Sequence, residues 1–331
     1  MHILTIDTGT TNTRTKLWRE GEVIASSSTE VGVRDTSITG NKEKLQAGVK
    51  KTILETLSNA KCGADQVDLF LAAGMITSNV GLIEVPHVVA PAGLMNLASG
   101  MVSADIPQVL DQPIWFVPGI KNDVRKVTPE NCEAMDIMRG EEVETFGILE
   151  HVGTRGPALL ILPGSHTKFV HVDEKGRVTA CVTTLAGELL SVITNGTILA
   201  SALNRSFATA IDEKMVLLGA AEVQAVGLNR TCFSIRILDQ FTDVSYDEKA
   251  SYLAGAVVGT DLMAIKGSRA VGDCRDVPVI IGGTNPLATV FSTLIKKDDH
   301  FRGDVNAVDD TVMKDISGSG AIMIAQARGL L

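Results

Sequence analysis

The chain has 331 residues, a net charge of −9, 45% hydrophobic and 21% charged residues. That length exceeds the size at which a single core usually stops growing, so two domains are expected, and the acidic balance argues against a nucleic-acid binder, which would show a basic face. No apolar run is long enough to span a membrane, and the first strand starts at once, with no basic and apolar leader before it, which argues against secretion.

In chain order, residues 3–6 form a β-branched, apolar strand that ends on the carboxylate of Asp7. A turn of Gly9, Thr10, Thr11 and Asn12 follows, then a second strand from Arg14 through Trp18. Such a turn gathers backbone N–H groups and short hydroxyls around a concavity that suits phosphate oxygens, and Asp7 stands where a magnesium ion or its bound water could be held. An ordinary hairpin with a Gly/Asn turn has the same local pattern. A third strand near residues 23–26 gives way to a polar loop through Gly40. Asn41 then caps a helix whose Leu45, Val49, Ile53, Leu54 and Leu57 share one face. Residues 67–74 read as a central parallel strand with a glycine exit. Beyond its carboxyl end, where open α/β sheets bind ligands, Ser78, Asn79 and His87 offer a hydroxyl, an amide and an imidazole to a polyol or sugar acid. A surface turn that satisfies its own backbone uses the same residue types.

A buried strand at 114–119 leads to Arg139, Gly140, Glu141 and Glu142 at the mouth of a helix expected over 143–151. Acids in that position suit the helix dipole. Placed between two domains, one of them could also take the proton of a substrate hydroxyl. Adjacent helical residues point about 100° apart, so only one carboxylate faces the cleft, and Glu141 is favoured. Arg139, a planar bidentate donor, could pair with a substrate carboxylate.

The opening pattern then returns. An apolar strand from Ala158 runs into Gly164, Ser165, His166 and Lys168; Gly9 matches Gly164, Thr10 matches Ser165 and Gly21 matches Gly176, all at one offset near half the chain. Two copies of strand, phosphate-type loop and strand therefore open two halves, 1–150 and 151–331, and two such loops closing on one polyphosphate at an interdomain cleft make a nucleotide clamp. Helices are expected from Ala186 toward Leu203, over 213–228 and over 246–264. In the last, Ser251, Gly255 and Gly259 allow close helix packing or nucleotide approach. A strand at 277–281 ends in Gly282, Gly283 and Thr284, whose backbone could approach adenine and ribose. A strand at 304–308 and a helix at 318–327 complete the chain. Cys62, Cys132, Cys181, Cys232 and Cys274 are odd in number and far apart, and read as buried thiols in a reducing compartment, neither a disulfide framework nor a zinc site.

Taken together, Asp7 to Asn12, Leu162 to Lys168 and Ile281 to Thr284 resemble the phosphate-1, phosphate-2 and adenosine motifs of the actin-like ATPase and sugar-kinase superfamily. Within it, the segments 73–81 and 138–142 and the loop around His166 are most similar to 2-dehydro-3-deoxygalactonokinases. The resemblance implies an α/β fold of duplicated actin-like (ribonuclease H-like) domains, with 1–150 on the sugar-acid side and 151–331 on the nucleotide side of the cleft. It implies a bacterial cytoplasmic enzyme that moves the γ-phosphoryl of ATP, with Mg²⁺, to the 6-hydroxyl of 2-dehydro-3-deoxy-D-galactonate. It carries Asp7 over as the metal-associated acid, Gly9 to Asn12 and Gly164 to Lys168 as phosphate loops, and Gly282 to Asn285 as the nucleotide end. Arg14 and Lys168 would neutralise phosphate charge, and Glu141 or Glu142 would deprotonate the hydroxyl. Related kinases carry an Asp just before that helix, where this chain has Gly140, and a Gly-Thr-Ser is expected where it has Thr284, Asn285 and Pro286. A sugar acid is the one partner implied, with neither nucleic acid nor membrane; a homodimer, the substrate's epimer and a hydrolase of the same superfamily stay open.

Overall fold

The computed structural model describes residues 1–331. Two sheets and three helical layers alternate, and the strands themselves dictate this. Strand β1 (His2–Thr8) sends Leu4 and Ile6 to one face and Ile3 to the other. Strand β10 (Ala158–Leu162) separates Leu159 and Ile161 from Ala158, Leu160 and Leu162 in the same way. Side chains alternate along a strand, so one that is apolar at every position must be covered on both sides.

The N-terminal sheet has the order β3-β2-β1-β4-β7-β6, with β2 (Thr13–Arg19), β3 (Glu22–Thr29), β4 (Leu69–Gly74), β6 (Val102–Ile106) and β7 (Leu110–Phe116). The C-terminal sheet repeats that plan as β12-β11-β10-β13-β14, with β11 (Thr167–Val172), β12 (Val178–Thr184), β13 (Val279–Gly282) and β14 (Val305–Val308). In both, the first strand pairs antiparallel with the next and parallel with the one that returns after a crossover. The duplication expected from the two loops is thus a duplication of topology, with β6 added at the N-terminal edge.

Helices α1 (Val33–Thr39) and α2 (Glu43–Ala60) cover the outer face of the N-terminal sheet. Helices α5 (Ala186–Gly196), α6 (Glu213–Val226), α7 (Leu228–Phe241), α8 (Tyr246–Gly267) and α9 (Pro286–Lys296) cover the outer face of the C-terminal sheet. Between the sheets lies a shared apolar layer that includes α3 (Leu94–Gly100), α4 (Glu141–Val152) and α10 (Asp310–Ala327). Helices α4 and α10 cross so closely that a Cβ on Gly320 would lie 1.9 Å from the Val143 carbonyl oxygen. The end of the chain therefore returns to the N-terminal sheet, where Gly318 rests against Trp18.

Several expectations need correction. The segment expected as a polar loop before Gly40 contains α1, and Leu54 is 52% exposed, off the buried stripe of α2. Asn41 does help to cap α2, accepting from the Glu43 amide at 3.1 Å. Helix α4 starts at Glu141, α5 stops at Gly196, and α10 begins at Asp310, where Asp309 caps it by accepting from the Thr311 amide at 2.8 Å. Its first turns are polar and face a cleft, so no apolar stripe announces them. Helices α3 and α7 and strand β6 were not anticipated; α7 buries only Thr231 and Ile235 and leaves Phe233, Ile237 and Phe241 exposed, which obscures its periodicity. The α8 glycines serve packing: a Cβ on Gly255 would lie 2.1 Å from the Val216 carbonyl oxygen of α6. Of the five free cysteines only Cys181 and Cys274 are buried, and Cys132 is exposed. No helix is long and apolar enough to cross a membrane.

Candidate active site

The first loop is shaped by its own backbone and by α1 behind it. The Gly9 amide donates to the Asn12 carbonyl at 2.9 Å, and the Val33 and Arg34 amides donate to the carbonyls of Gly9 (3.2 Å) and Thr10 (2.9 Å). Thr10 and Thr11 are left exposed at the tip. Asp7 lies across β1–β2 from Arg14, whose Nη1 is 3.5 Å from its carboxylate, and beside Ala73 of β4. Burial raises the Asp7 pKa, and Arg14 only partly opposes that; the side chain is still 34% exposed, open to a cleft. That cleft, about 920 Å³, is walled by Asp7, Arg14 and Lys16 on one side and by Asp310, Lys314 and Asp315 of α10 on the other. Lys16 is already engaged by Asp315 at 2.6 Å and by the Lys314 carbonyl, so Arg14 and Lys314 are the cations it presents.

Between β8 (Ile120–Lys121) and its neighbours β5 (Val88–Val89) and β9 (Ile137–Met138) runs a small three-stranded sheet that the sequence did not reveal. Because β5 is parallel and β9 antiparallel to β8, the residue before β5, His87, and the residue after β9, Arg139, emerge at one end. Arg139 donates through Nη1 to Thr77 Oγ1 at 2.7 Å and through Nη2 to the Val85 carbonyl at 2.9 Å, and Nη2 lies 3.4 Å from His87 Nδ1. Three of its five N–H groups are therefore engaged, which leaves one on Nε and one on Nη1. Since a guanidinium only donates, His87 Nδ1 accepts and the ring proton sits on Nε2, which is buried without a partner. Burial, with Arg139 and Lys121 nearby, lowers the His87 pKa to about 4. His87 is thus a neutral imidazole with a free donor. Its NMR resonances are expected not to titrate between about pH 5 and 8, and because the unfolded ring binds protons more readily, its contribution to stability should fade as pH drops from about 6.5 toward 4.

The other sugar-loop candidates fare differently. Ser78 is buried and its hydroxyl donates to the Met75 carbonyl of its own turn at 2.7 Å, whereas Asn79 is exposed. Thr77, which sequence reasoning passed over, is the hydroxyl that meets Arg139.

Gly140 explains why no Asp stands before α4. Its φ is +110°, and a Cβ there would lie 3.3 Å from the Gly74 Cα. Gly140→Asp is therefore expected to destabilise the fold by about 1–3 kcal/mol, measurable by denaturant titration, without supplying a working base. The acids instead come from the helix. Glu142 is fully buried, with Oε2 accepting from the Gly140 amide at 2.8 Å and Oε1 unpartnered; burial and the neighbouring Glu141 push its pKa well up. Glu144, another residue missed, lines the cleft beside Asp7, and burial, with Glu141 and Asp7 nearby, pushes it up to about 8. Glu141 is half-buried and accepts from the Arg139 amide at 3.1 Å; burial raises its pKa, while Lys168 holds it down. Its charge environment includes Asp7 of β1 and Lys168 of β11, one from each half of the chain.

In the second loop Gly164, Ser165 and His166 face outward, and His166 Nε2 is 2.8 Å from Glu188 Oε2 on α5. Gly164 and Ser165 border a cavity of about 400 Å³ completed by Gly187, Asn195, Arg205, Phe207 and Asn285. The diglycine is not part of it. Gly282 is buried against Leu162, and Gly283 and Thr284 are pinned by Asp310, which accepts from the Thr284 amide at 2.7 Å and from its hydroxyl at 2.9 Å. The chain reaches the cavity one residue later, at Asn285, Pro286 and Leu287. Lys168 is only 7% exposed and its ammonium donates to the Ile137 carbonyl at 2.6 Å and to Thr183.

Comparison with known proteins agrees with this architecture. The probable 2-dehydro-3-deoxygalactonokinase of Rhizobium meliloti (strain 1021) is 28% identical over 303 residues, covering 88% of each chain. The 2-dehydro-3-deoxygalactonokinase of Escherichia coli (strain K12) is 23% identical over 272 residues, covering 80% of each. Among solved structures, a protein from Sinorhizobium meliloti assigned as a 2-dehydro-3-deoxygalactonokinase superposes with a TM-score of 0.75 at 25% identity over 98% of both chains. Component A of the (R)-2-hydroxyglutaryl-CoA dehydratase of Acidaminococcus fermentans shares the fold alone, with a TM-score of 0.50 at 16% identity over 99% of both chains. The 2-keto-3-deoxy-galactonokinase model matches residues 7–314, from Asp7 at the end of β1 to the cleft-facing turns of α10, and the chain belongs to that family of ATP-dependent sugar-acid kinases.

Proposed function

We propose that this chain transfers the γ-phosphoryl group of ATP to the 6-hydroxyl of 2-dehydro-3-deoxy-D-galactonate, in galactonate breakdown. The observation that carries the reading is the cluster at the start of α4, where Arg139 keeps two N–H groups unengaged beside Thr77 and His87, and Glu141, two residues on, accepts from the Arg139 amide at 3.1 Å. Residues 1–150 hold the sugar acid and 151–331 the nucleotide, with the adenosine in the cavity of Gly187, Arg205, Phe207 and Asn285. Arg139 offers its remaining N–H groups to the substrate carboxylate, and His87 Nε2–H donates to a keto or hydroxyl oxygen. Glu141 accepts the proton of the 6-hydroxyl as its oxygen attacks the γ-phosphorus in line and ADP departs. Backbone N–H groups of Thr10 to Asn12 and of Gly164 to His166, with the Arg14 guanidinium, stabilise the charge that develops on the phosphoryl oxygens.

Asp7 fits a role in holding Mg²⁺: its carboxylate opens to the cleft with one weak protein partner at 3.5 Å. No group of three His, Cys, Asp or Glu side chains gathers to cage a metal, so phosphate oxygens and water would complete the shell, as magnesium prefers. When bound, the ion would neutralise charge on the phosphate groups.

The test is ADP formation by the purified protein with Mg-ATP and the galactonate compound, its gluconate epimer, plain hexoses, or no acceptor. A strong preference for the galactonate compound is expected. Equal phosphate release in every tube would instead mean a hydrolase, and a preference for the epimer or a hexose would move the substrate assignment.

A further inference from the structure

The seam between the two halves is stitched along one strand edge. Strand β12 ends the C-terminal sheet, so one row of its backbone groups has no strand partner within that sheet. Segments of the N-terminal half supply those partners. Ala92 exchanges two backbone bonds of 2.9 Å with Val178. The Asn122 side-chain amide mimics a strand: its Oδ1 accepts from the Cys181 amide and its Nδ2 donates to the Cys181 carbonyl, both at 2.9 Å. Asp136 accepts from the Thr183 amide at 2.5 Å and from the Thr183 hydroxyl at 2.8 Å. Lys168 closes the row from the adjacent strand β11, reaching the Ile137 carbonyl, Thr183 and, at 3.8 Å, Asp136. Asn122 is 4% exposed and Lys168 7%, so these bonds lie out of water, where an unmade one is costly.

Ile137 belongs to β9, and Arg139 and Glu141 follow it within four residues. We infer that Lys168, although it stands in the phosphate-loop motif, is a positioning residue: with Asp136 and Thr183 it fixes the Arg139–Glu141 segment to the nucleotide half, and it does not hold phosphate. Two of the ammonium's three donors are given to a carbonyl and a hydroxyl, and its charge is faced by the Asp136 carboxylate at 3.8 Å, so in a side chain only 7% exposed the ammonium is committed to the seam. The same strap makes the sugar-acid end of β9 ride with the second phosphate loop, so that acceptor and donor keep register as the cleft closes.

This rests on the kinase reading, and the experiment separates the two. Lys168→Met, Lys168→Arg, Asp136→Asn and Thr183→Val are compared for kcat, for the KM of each substrate, and for binding of Mg-ADP by calorimetry. Lys168→Met is expected to raise the sugar-acid KM about tenfold and to lower kcat by up to about a hundredfold, the effect of displacing a catalytic group by about an ångström. The KM of ATP and the affinity for Mg-ADP should stay near wild type. Asp136→Asn and Thr183→Val should repeat the pattern at smaller amplitude, and Lys168→Arg should restore part of the loss. A Lys168→Met protein that binds Mg-ADP much more weakly would overturn the inference, as would Asp136→Asn and Thr183→Val proteins with unchanged sugar-acid kinetics. Should Lys168→Met not fold, those two variants carry the decision. A wild-type protein that turns over no sugar acid but binds Mg-ADP would refute the kinase reading, and unchanged Mg-ADP affinity in Lys168→Met would still exclude the phosphate role.

Discussion

Replacing Asp7 by Asn is expected to lower turnover by on the order of a thousandfold or more, with the melting temperature unchanged or higher. Both halves of that expectation come from one local fact. The carboxylate sits at the carboxyl end of β1, desolvated by its surroundings and offset only by Arg14 at 3.5 Å, so its pKa is raised. An acid whose folded pKa lies above its unfolded value contributes stability that is lost as pH rises through the folded pKa. Ionising Asp7 in the folded chain thus costs the fold stability, and the acid is kept for what it does in the cleft. Asn retains the shape beneath Gly74, where a Cβ would lie 3.1 Å from Asp7 Oδ1, but brings no charge to a magnesium ion. Steady-state turnover across a Mg²⁺ titration, beside a calorimetric melt, checks it. Turnover near wild type would remove Asp7 from the metal site, and a large loss of melting temperature would make its role structural.

Glu141→Gln is expected to cost about 10²- to 10⁴-fold in kcat, the usual contribution of a positioned base. The three neighbouring acids are separated by environment. Glu144, pushed up to about 8, is mostly protonated at neutral pH, and Glu142 is fully buried with Oε2 on the Gly140 amide, out of reach of a substrate hydroxyl. Glu141 is raised by burial but held down by Lys168, and it is only half-buried, so of the three it combines raised basicity with a compensating cation and access to solvent. The wild-type kcat/KM should therefore rise with pH through an apparent pKa above the ordinary glutamate value of about 4.3, and that acidic limb should vanish in Glu141→Gln. By the sign argument used for Asp7, the Gln variant should be at least as stable as wild type at neutral pH. If Glu144→Gln removes the limb while Glu141→Gln keeps it, the base is Glu144.

Much of the fold was legible because it is written in local pattern. The apolar strands at residues 3–6 and 158–162, the glycine turns behind them and their repetition fixed the sheet plan, since a strand apolar at every position has to be buried on both faces. The hairpins that carry Asp7, Arg14 and the two glycine loops form where the pattern predicts them, because a tight β-hairpin is determined by its own residues. What the sequence did not determine is whatever depends on distant segments meeting. The three-stranded sheet that joins His87 to Arg139 uses strands of two residues, too short to carry any periodicity. The sequence points to Ser78 and not to Thr77, yet the turn places the Ser78 hydroxyl on its own Met75 carbonyl and the Thr77 hydroxyl against Arg139. Glu144 was hidden as an ordinary acid of a first helical turn, and only the arrival of α10 opposite it makes a cleft. Lys168 shows the limit most sharply: its motif implies a phosphate ligand, and only the tertiary structure shows its four-carbon stem carrying the ammonium to the Ile137 carbonyl of β9 and to Thr183.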